Sequence, residues 1–391
     1  MPKDNQVSPE LIQEGERIMR ICNACRYCEG FCAVFPAMER RLTFEESDLN
    51  YLANLCHNCT ECYYACQYAP PQEFELNFPK TLAEIRLETY KKYAWPGPFA
   101  TLFQKNGVAS CVLTVASIIL IAVVIFLSTT TESFFSAHSD IKGAFYEVMS
   151  HKAMVVTFST VATFMVLAFV IGFIRFWNDT RGANSAEVTP SAFVQAVGDT
   201  LQLKYLDGAD SGCAYPNEVP SNARRTFHHL TFYGFLLCFA ATAVGTIFHY
   251  VLGWEGPPPI PGISVLPGES GGLLRSLPVI LGSLGGIGLL IGPAGLLWLK
   301  STRNSLLADP KQNGMDAGFL VLLFLTSLTG FFLTAFRETS VMGTLVVLHL
   351  GVIMGLFLTM PYGKFVHGIY RFGALLRNAV EQRTMPQLGS E

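Results

Sequence analysis

Eight cysteines in two short runs constrain this chain more than any other feature. The runs are Cys22, Cys25, Cys28, Cys32 and Cys56, Cys59, Cys62, Cys66. Each reads C-x2-C-x2-C-x3-C, the spacing with which thiolates hold cubane iron–sulfur clusters. Three cysteines at three-residue steps lie along one tight turn and reach three corners of one cluster. The fourth does not fold back onto the same set and ligates the other cluster. The expected ligand sets are therefore Cys22, Cys25 and Cys28 with Cys66, and Cys56, Cys59 and Cys62 with Cys32. Crossing of this kind puts two [4Fe–4S] clusters roughly 10–12 Å apart, close enough for fast electron hopping. Pro36 and Pro70 each stand four residues after the last cysteine of a run, a departure that leaves ligation unaltered.

Other uses of cysteine fit less well. Zinc sites are built from separated C-x2-C pairs and need no third and fourth cysteine at these steps. Disulfides require an oxidising compartment, and neighbours at such short steps make poor bridges. Three cysteines stand outside the runs. Cys111 and Cys238 lie in apolar stretches and read as inert packing residues. Cys213 lies in a loop, Asp210-Ser211-Gly212-Cys213, and has no assignment from sequence.

The chain of 391 residues is 50% hydrophobic and 15% charged, with a mean hydropathy of +0.35. Charge is uneven. Residues 1–100 hold 14 acidic and 10 basic side chains, the remaining 291 only 16 and 17. A polar head, 1–100, therefore precedes an apolar body, 101–391. The net charge of −3 and the lack of a basic stripe argue against a nucleic-acid partner. Residues 1–20 have no apolar core of a secretory signal, so the head is expected to stay in the cytoplasm.

A helix that crosses a bilayer needs about 20 apolar residues. Six stretches qualify: 107–128, 153–175, 229–252, 277–299, 317–336 and 344–363. The fourth is rich in glycine (Gly282, Gly285, Gly286, Gly288, Gly292, Gly295), which suits either close helix approach or room for a flat cofactor. It is not a nucleotide loop, because Ile291 stands where G-x-G-x-x-G needs glycine. With the head inside, the inner connections and tail (175–226, 300–312, 363–391) carry 12 Lys and Arg. The outer connections carry four, Lys142, Lys152, Arg275 and Arg337. That bias places both termini in the cytoplasm. The outer segment 256–262 is proline-rich and reads as a stiff connector.

The head reads as helices and loops. Thr43-Phe44-Glu45-Glu46 is a candidate capping box. It would open a helix carrying Leu49, Leu52 and Leu55 that delivers Cys56. A second helix is expected over 74–93, ahead of Trp95-Pro96-Gly97-Pro98. The fold class is thus mainly α, an α-helical ferredoxin-like two-cluster domain followed by a six-helix transmembrane domain.

Of eight histidines, five sit at span ends. His349 and His367, 18 residues apart, are expected on the sixth helix, five turns and about 27 Å from each other on one side. His228 and His249 bracket the third helix, 21 residues and about 60° apart. His229 is about 160° from His249 and is the weaker choice. If the two helices run antiparallel, His228 pairs with His367 on the inner side and His249 with His349 on the outer side. Each pair is a candidate for the two axial positions of a haem b, one or two haems in all. The competing reading is that such histidines only snorkel to the interface. His151 is an alternative ligand, and His138 reads as loop.

The stretches Leu203-Lys204-Tyr205-Leu206, Gly212-Cys213-Ala214-Tyr215-Pro216 and Arg224-Arg225-Thr226-Phe227-His228-His229-Leu230-Thr231-Phe232-Tyr233-Gly234-Phe235 resemble the central signature of the tricarballylate/citrate utilisation protein B family. The resemblance covers essentially the whole chain. More distantly, the body is similar to the haem-bearing γ subunit of respiratory nitrate reductase, and the head to iron–sulfur modules of heterodisulfide-reductase-like subunits. The family resemblance implies a partner, an FAD-dependent tricarballylate dehydrogenase that makes cis-aconitate. It implies that the chain reoxidises FADH2 and passes electrons through clusters and haem to the membrane quinone, in the bacterial inner membrane. The chain would then be an electron-transfer component with no catalytic residue of its own. The rival readings are a quinol-linked reductase subunit and, further off, a redox-sensing or transport protein.

Overall fold

The computed structural model describes residues 7–103, 105–137, 144–181, 186–206, 212–253, 274 and 276–385. His138, Asp210, Ser211 and the proline-rich connector 256–262 lie outside them. The described residues form helices and no strand. The head contains α1 (Pro9–Cys25), α2 (Val34–Met38), α3 (Glu46–Leu55), α4 (Glu61–Tyr64) and α5 (Phe78–Tyr93). The body runs α6 (Asn106–Ser128), α7 (Thr131–Phe135), α8 (Ala144–Val148), α9 (His151–Thr180), α10 (Pro190–Leu201), α11 (Ala223–Tyr250), α12 (Leu277–Thr302), α13 (Asn313–Phe336), α14 (Met342–Thr359) and α15 (Val366–Thr384).

Local chemistry sets the head's helix starts. Glu45, not Thr43, caps α3: its side chain accepts from the third helical amide, while Asp48 reaches back to the Glu45 N–H. The box sits two residues beyond the expected one, since an acidic pair does the same capping as Thr and Glu. The second expected helix begins four residues late, at Phe78. Asn77 Oδ1 accepts from Lys80 N at 3.2 Å, and Pro79 fits the first turn of α5 because no N–H is needed there.

Six helices are long and apolar enough to cross a membrane, and they fall on the six expected stretches. Val108, Val112, Val115, Ile119 and Val123 are exposed at three- and four-residue steps along α6, an apolar face that suits lipid rather than water. Cys111 lies on the exposed part of the same helix rather than in packing. Two helices outrun their apolar stretches. α9 continues to Thr180 and α11 begins at Ala223, because helix propensity does not stop where hydropathy does. The glycines of α12 serve close approach to α11. A Cβ on Gly285 would stand 2.7 Å from Gly234 O, and one on Gly288 2.7 Å from Leu230 O.

α15 is not one of the six membrane-length helices. Tyr370, Ala374 and Leu375 share one buried cluster with Leu52, Tyr90 and Tyr93 of the head, together with Phe176 from the end of α9. A polar seam borders it. Arg377 pairs with Glu381 at 2.8 Å and Asp48 at 3.2 Å. Arg41 pairs with Asp48 at 2.7 Å and also with Glu381. Both arginines lie against the Tyr51 ring, Arg377 at 4.2 Å. The Arg41 and Glu381 side chains are 9% and 5% exposed. Glu381→Ala is expected to lower stability by about 1–3 kcal/mol, because it leaves Asp48 as the one carboxylate shared by two largely buried guanidinium groups. An unchanged thermal midpoint of the detergent-solubilised protein would show that the seam does not hold the head.

Candidate metal centres

The first cysteine run is shaped by the end of α1. Arg26 takes the left-handed backbone conformation (φ 55°) and its N–H closes on Cys22 O. The reversal brings Cys28 back towards Cys22 and Cys25. Cys66 joins from the end of the second run. Cys22, Cys25, Cys28 and Cys66 line one cavity of about 290 Å³, which Cys62 also borders. Tyr68 N donates to Cys66 Sγ at 3.4 Å.

The second run starts where α3 stops, at Cys56. Asn58 (φ 55°) and Thr60 (φ 67°) are both left-handed and flank Cys59; α4 then carries Cys62. Cys32 arrives from the first run. Cys32, Cys56, Cys59 and Cys62 line a second, tighter cavity with His57 and Phe35. Asn58 N donates to Cys56 Sγ at 3.4 Å. Each cavity is thus lined by three cysteines of one run and the fourth of the other, with Cys62 bordering both.

Burial pushes the Cys28 thiol up to about 12, and neighbouring thiols push it the same way. The same two causes raise Cys22, Cys32 and Cys62. Ionising such crowded, buried thiols is unfavourable unless a cation takes the charge. Four sulfur donors around one cavity fit iron or another thiophilic cation.

Three arginines from three helices grip the loop of the second run. Arg86 of α5 donates to Cys56 O at 2.5 Å. Arg371 of α15 donates to Leu55 O at 2.6 Å and to His57 Nδ1 at 3.3 Å. Arg224 of α11 donates to Asn58 O and His57 O, each at 2.7 Å. A guanidinium only donates, so His57 Nδ1 accepts and the ring proton sits on Nε2. Burial, then Arg371, hold the His57 pKa well below its usual value, so the ring is neutral. Its Nε2 is buried with no hydrogen-bond partner. Sequence reading gave none of these three arginines a role at the clusters. Their acceptors lie 30, 316 and 166 residues away in the chain, and only Arg224 stood inside a recognisable stretch.

The histidines fall differently from expectation. His349 and His367 are not on one helix. α14 ends at Thr359, the chain makes a 3-10 turn over Met360–Tyr362, and Gly363 is extended before α15 begins. Pro361 has no N–H with which to continue the ladder. The five-turn argument therefore does not apply. Even so, His367 and His228 face each other, ring centroids 6.1 Å apart and planes at 80°. His367 Nδ1 contacts Lys364 O at 2.5 Å. As the donor there, Nδ1 leaves Nε2 available, the arrangement that metal-ligating histidines use. Lys364 is itself held by Asp316 at 2.9 Å, which also pairs with Lys300 at 2.6 Å. His228 Nδ1 is buried without a hydrogen-bond partner among the described residues. His229 Nε2 instead meets Gln202 O at 3.3 Å.

On the far side, the ring of His249 lies 4.8 Å from that of His151. His349 Nδ1 meets Thr329 Oγ1 at 2.9 Å. No ring contact joins His249 to His349 among the described residues. The structure brings together the first pair of the four histidines and seats the other two with different neighbours.

The model of the citrate utilization protein B family matches residues 104–387. The chain belongs to this family. The family's Fer4-like domain matches residues 15–92, which hold both cysteine runs. A citrate utilization protein B from Escherichia coli is 49% identical over 377 residues, 96% of this chain and 94% of that protein. No solved structure matches the chain. A Fer4-like domain of this family joined to six membrane-length helices is consistent with an electron-transfer role.

Proposed function

We propose that the chain is the membrane electron-transfer member of a flavoprotein:quinone system. The head holds two [4Fe–4S] clusters, one on Cys22, Cys25, Cys28 and Cys66, the other on Cys32, Cys56, Cys59 and Cys62. His228 and His367 would hold a haem b, which when bound would supply a one-electron carrier inside the membrane. A second haem would draw on His249 and His349, with His151 as the neighbour of His249.

One observation carries this reading. Arg224 lies four residues before His228 on α11, and Arg371 four residues after His367 on α15. Each arginine is therefore about one helical turn, roughly 6 Å of rise, from its histidine. Both grip residues 55–58 of the second cysteine run. The histidine pair and the second quartet are thereby fixed relative to one another by two helices at once. Electrons enter at the first quartet, reach the second, cross this arginine-held loop to the histidine pair and leave to quinone. The electron donor is the reduced flavin of a separate tricarballylate or related tricarboxylate dehydrogenase. The Lys and Arg bias of the connections sets the head on the cytoplasmic side of the inner membrane.

The test uses the purified protein in detergent. Reduced flavoprotein is expected to bleach the cluster absorbance and raise the reduced haem band, and added quinone to reverse both. Reduction by quinol with no response to the flavoprotein would reverse the direction of flow and support a quinol-linked reductase subunit.

A further inference from the structure

Cys213 belongs to neither cysteine run, yet the fold brings it to the second one. Its sulfur, Cys59 Sγ and a ring nitrogen of His57 all lie within 4.8 Å of one another. Two sulfurs bound to one tetrahedral metal at about 2.3 Å stand about 3.8 Å apart, so Cys213 is within a small movement of the corner that Cys59 serves. Cys213 is fully buried. It is held there from two sides. Its backbone pairs with Ser221 in both directions, at 3.1 and 2.9 Å, and its thiol donates to Leu206 O at 3.2 Å. Gly212 before it has φ 94°, and a Cβ there would stand 2.8 Å from Ser221 N, so this turn requires glycine. The neighbouring Ala214 O accepts from Thr60 Oγ1, which locks the loop onto the residue that follows Cys59.

A second observation points to sulfur anion at this place. With Nδ1 accepting from Arg371, Nε2 is the donor of the His57 ring, and it is buried with no hydrogen-bond partner among the described residues. A buried N–H without a partner is unfavourable by about 1–3 kcal/mol. A cluster-bound thiolate beside it supplies the missing acceptor.

We propose that Cys213 is the reserve ligand of the second cluster, able to replace Cys59 at its iron corner. The exchange is a simple substitution. The Cys213 thiol loses its proton and its sulfur bonds to iron; the Cys59–iron bond breaks and Cys59 takes up the proton. The iron keeps four bonds and no electron is moved. The second cluster thus has five cysteines for four corners, and the fifth comes from the body rather than the head.

This inference rests on the two-cluster reading above, and the controls separate the two. Non-haem iron and acid-labile sulfide per polypeptide are measured on detergent-purified full-length protein, with electron paramagnetic resonance of the reduced form. Wild type is expected to hold about eight irons and Cys62→Ala about four. Failure of these two controls would sink the cluster reading itself. With the controls in place, Cys59→Ala is expected to keep about eight irons with an altered second-cluster signal, and Cys59→Ala with Cys213→Ala to fall to about four. Four irons in Cys59→Ala alone, or no yield of that variant where Cys62→Ala is recovered, overturns the proposal. An independent arm leaves Cys59 in place. Chelator-driven iron loss from Cys213→Ala is expected to be about tenfold faster than from wild type, and equal rates overturn it.

Discussion

Alanine at Cys66 is expected to empty the site of the first cysteine run and leave that of its own run intact. Cys66 faces Cys22, Cys25 and Cys28 across the larger cavity, although it follows Cys62 by only four residues. The three-residue steps of a run wrap one turn around three corners of a cube, and the fourth cysteine is carried past it. Non-haem iron is expected to drop from about eight to about four atoms per chain. The resonance signal lost should be the one lost in Cys22→Ala. Loss instead of the signal missing in Cys56→Ala would show that each run closes its own cluster. Either way one carrier of the relay disappears, so flavoprotein-driven haem reduction should stop while the remaining cluster stays reducible by dithionite.

The second large effect is expected at His228. Its ring opposes that of His367, and its Nδ1 has no hydrogen-bond partner to hold it. His228→Ala and His367→Ala should each abolish the haem seated between them, seen as loss of the reduced-minus-oxidised band and of haem by pyridine haemochrome, with iron–sulfur content unchanged. His229→Ala is the matched control. Its side chain points to Gln202 O, so its haem content should equal that of wild type. Full haem in both His228→Ala and His367→Ala would remove the inner haem from the pathway.

The parts of this protein that local rules govern were legible in its sequence. Thiolate spacing is local, and it marked the Fer4-like head. Apolar length is local, and it marked all six membrane-length helices. The capping of α3 slipped by two residues because Glu45 and Asp48 fill the same roles as Thr and Glu. The histidine geometry was legible only in part. It assumed an unbroken helix through Pro361 and Gly363, where the missing N–H and an extended residue end α14 and let α15 set off anew. His367 still meets His228 because a tertiary contact, not helical phase, places it. Nothing local announces that Arg86, Arg224 and Arg371 converge on Cys56, His57 and their neighbours, since a backbone carbonyl as acceptor leaves no trace in side-chain pattern. Cys213 stayed unassigned for the same reason. Its meaning depends on a loop between α10 and α11 folding onto a turn more than a hundred residues earlier.

The burial of α15 in the head has a bearing on how the molecule is made. Synthesis runs from the N-terminus, and domains ordinarily fold in that order as they emerge. Here the head emerges first but lacks Tyr370, Ala374 and Leu375, which complete its core. It also lacks Arg371, which braces the second cysteine loop. These residues are translated only after all six membrane-length helices. The cysteine loops therefore remain incompletely braced until the body has been made, and the mature setting of the second cysteine run exists only once the body is in place. Assembly of the electron path is thus ordered by the chain itself, with the membrane part preceding the finished head.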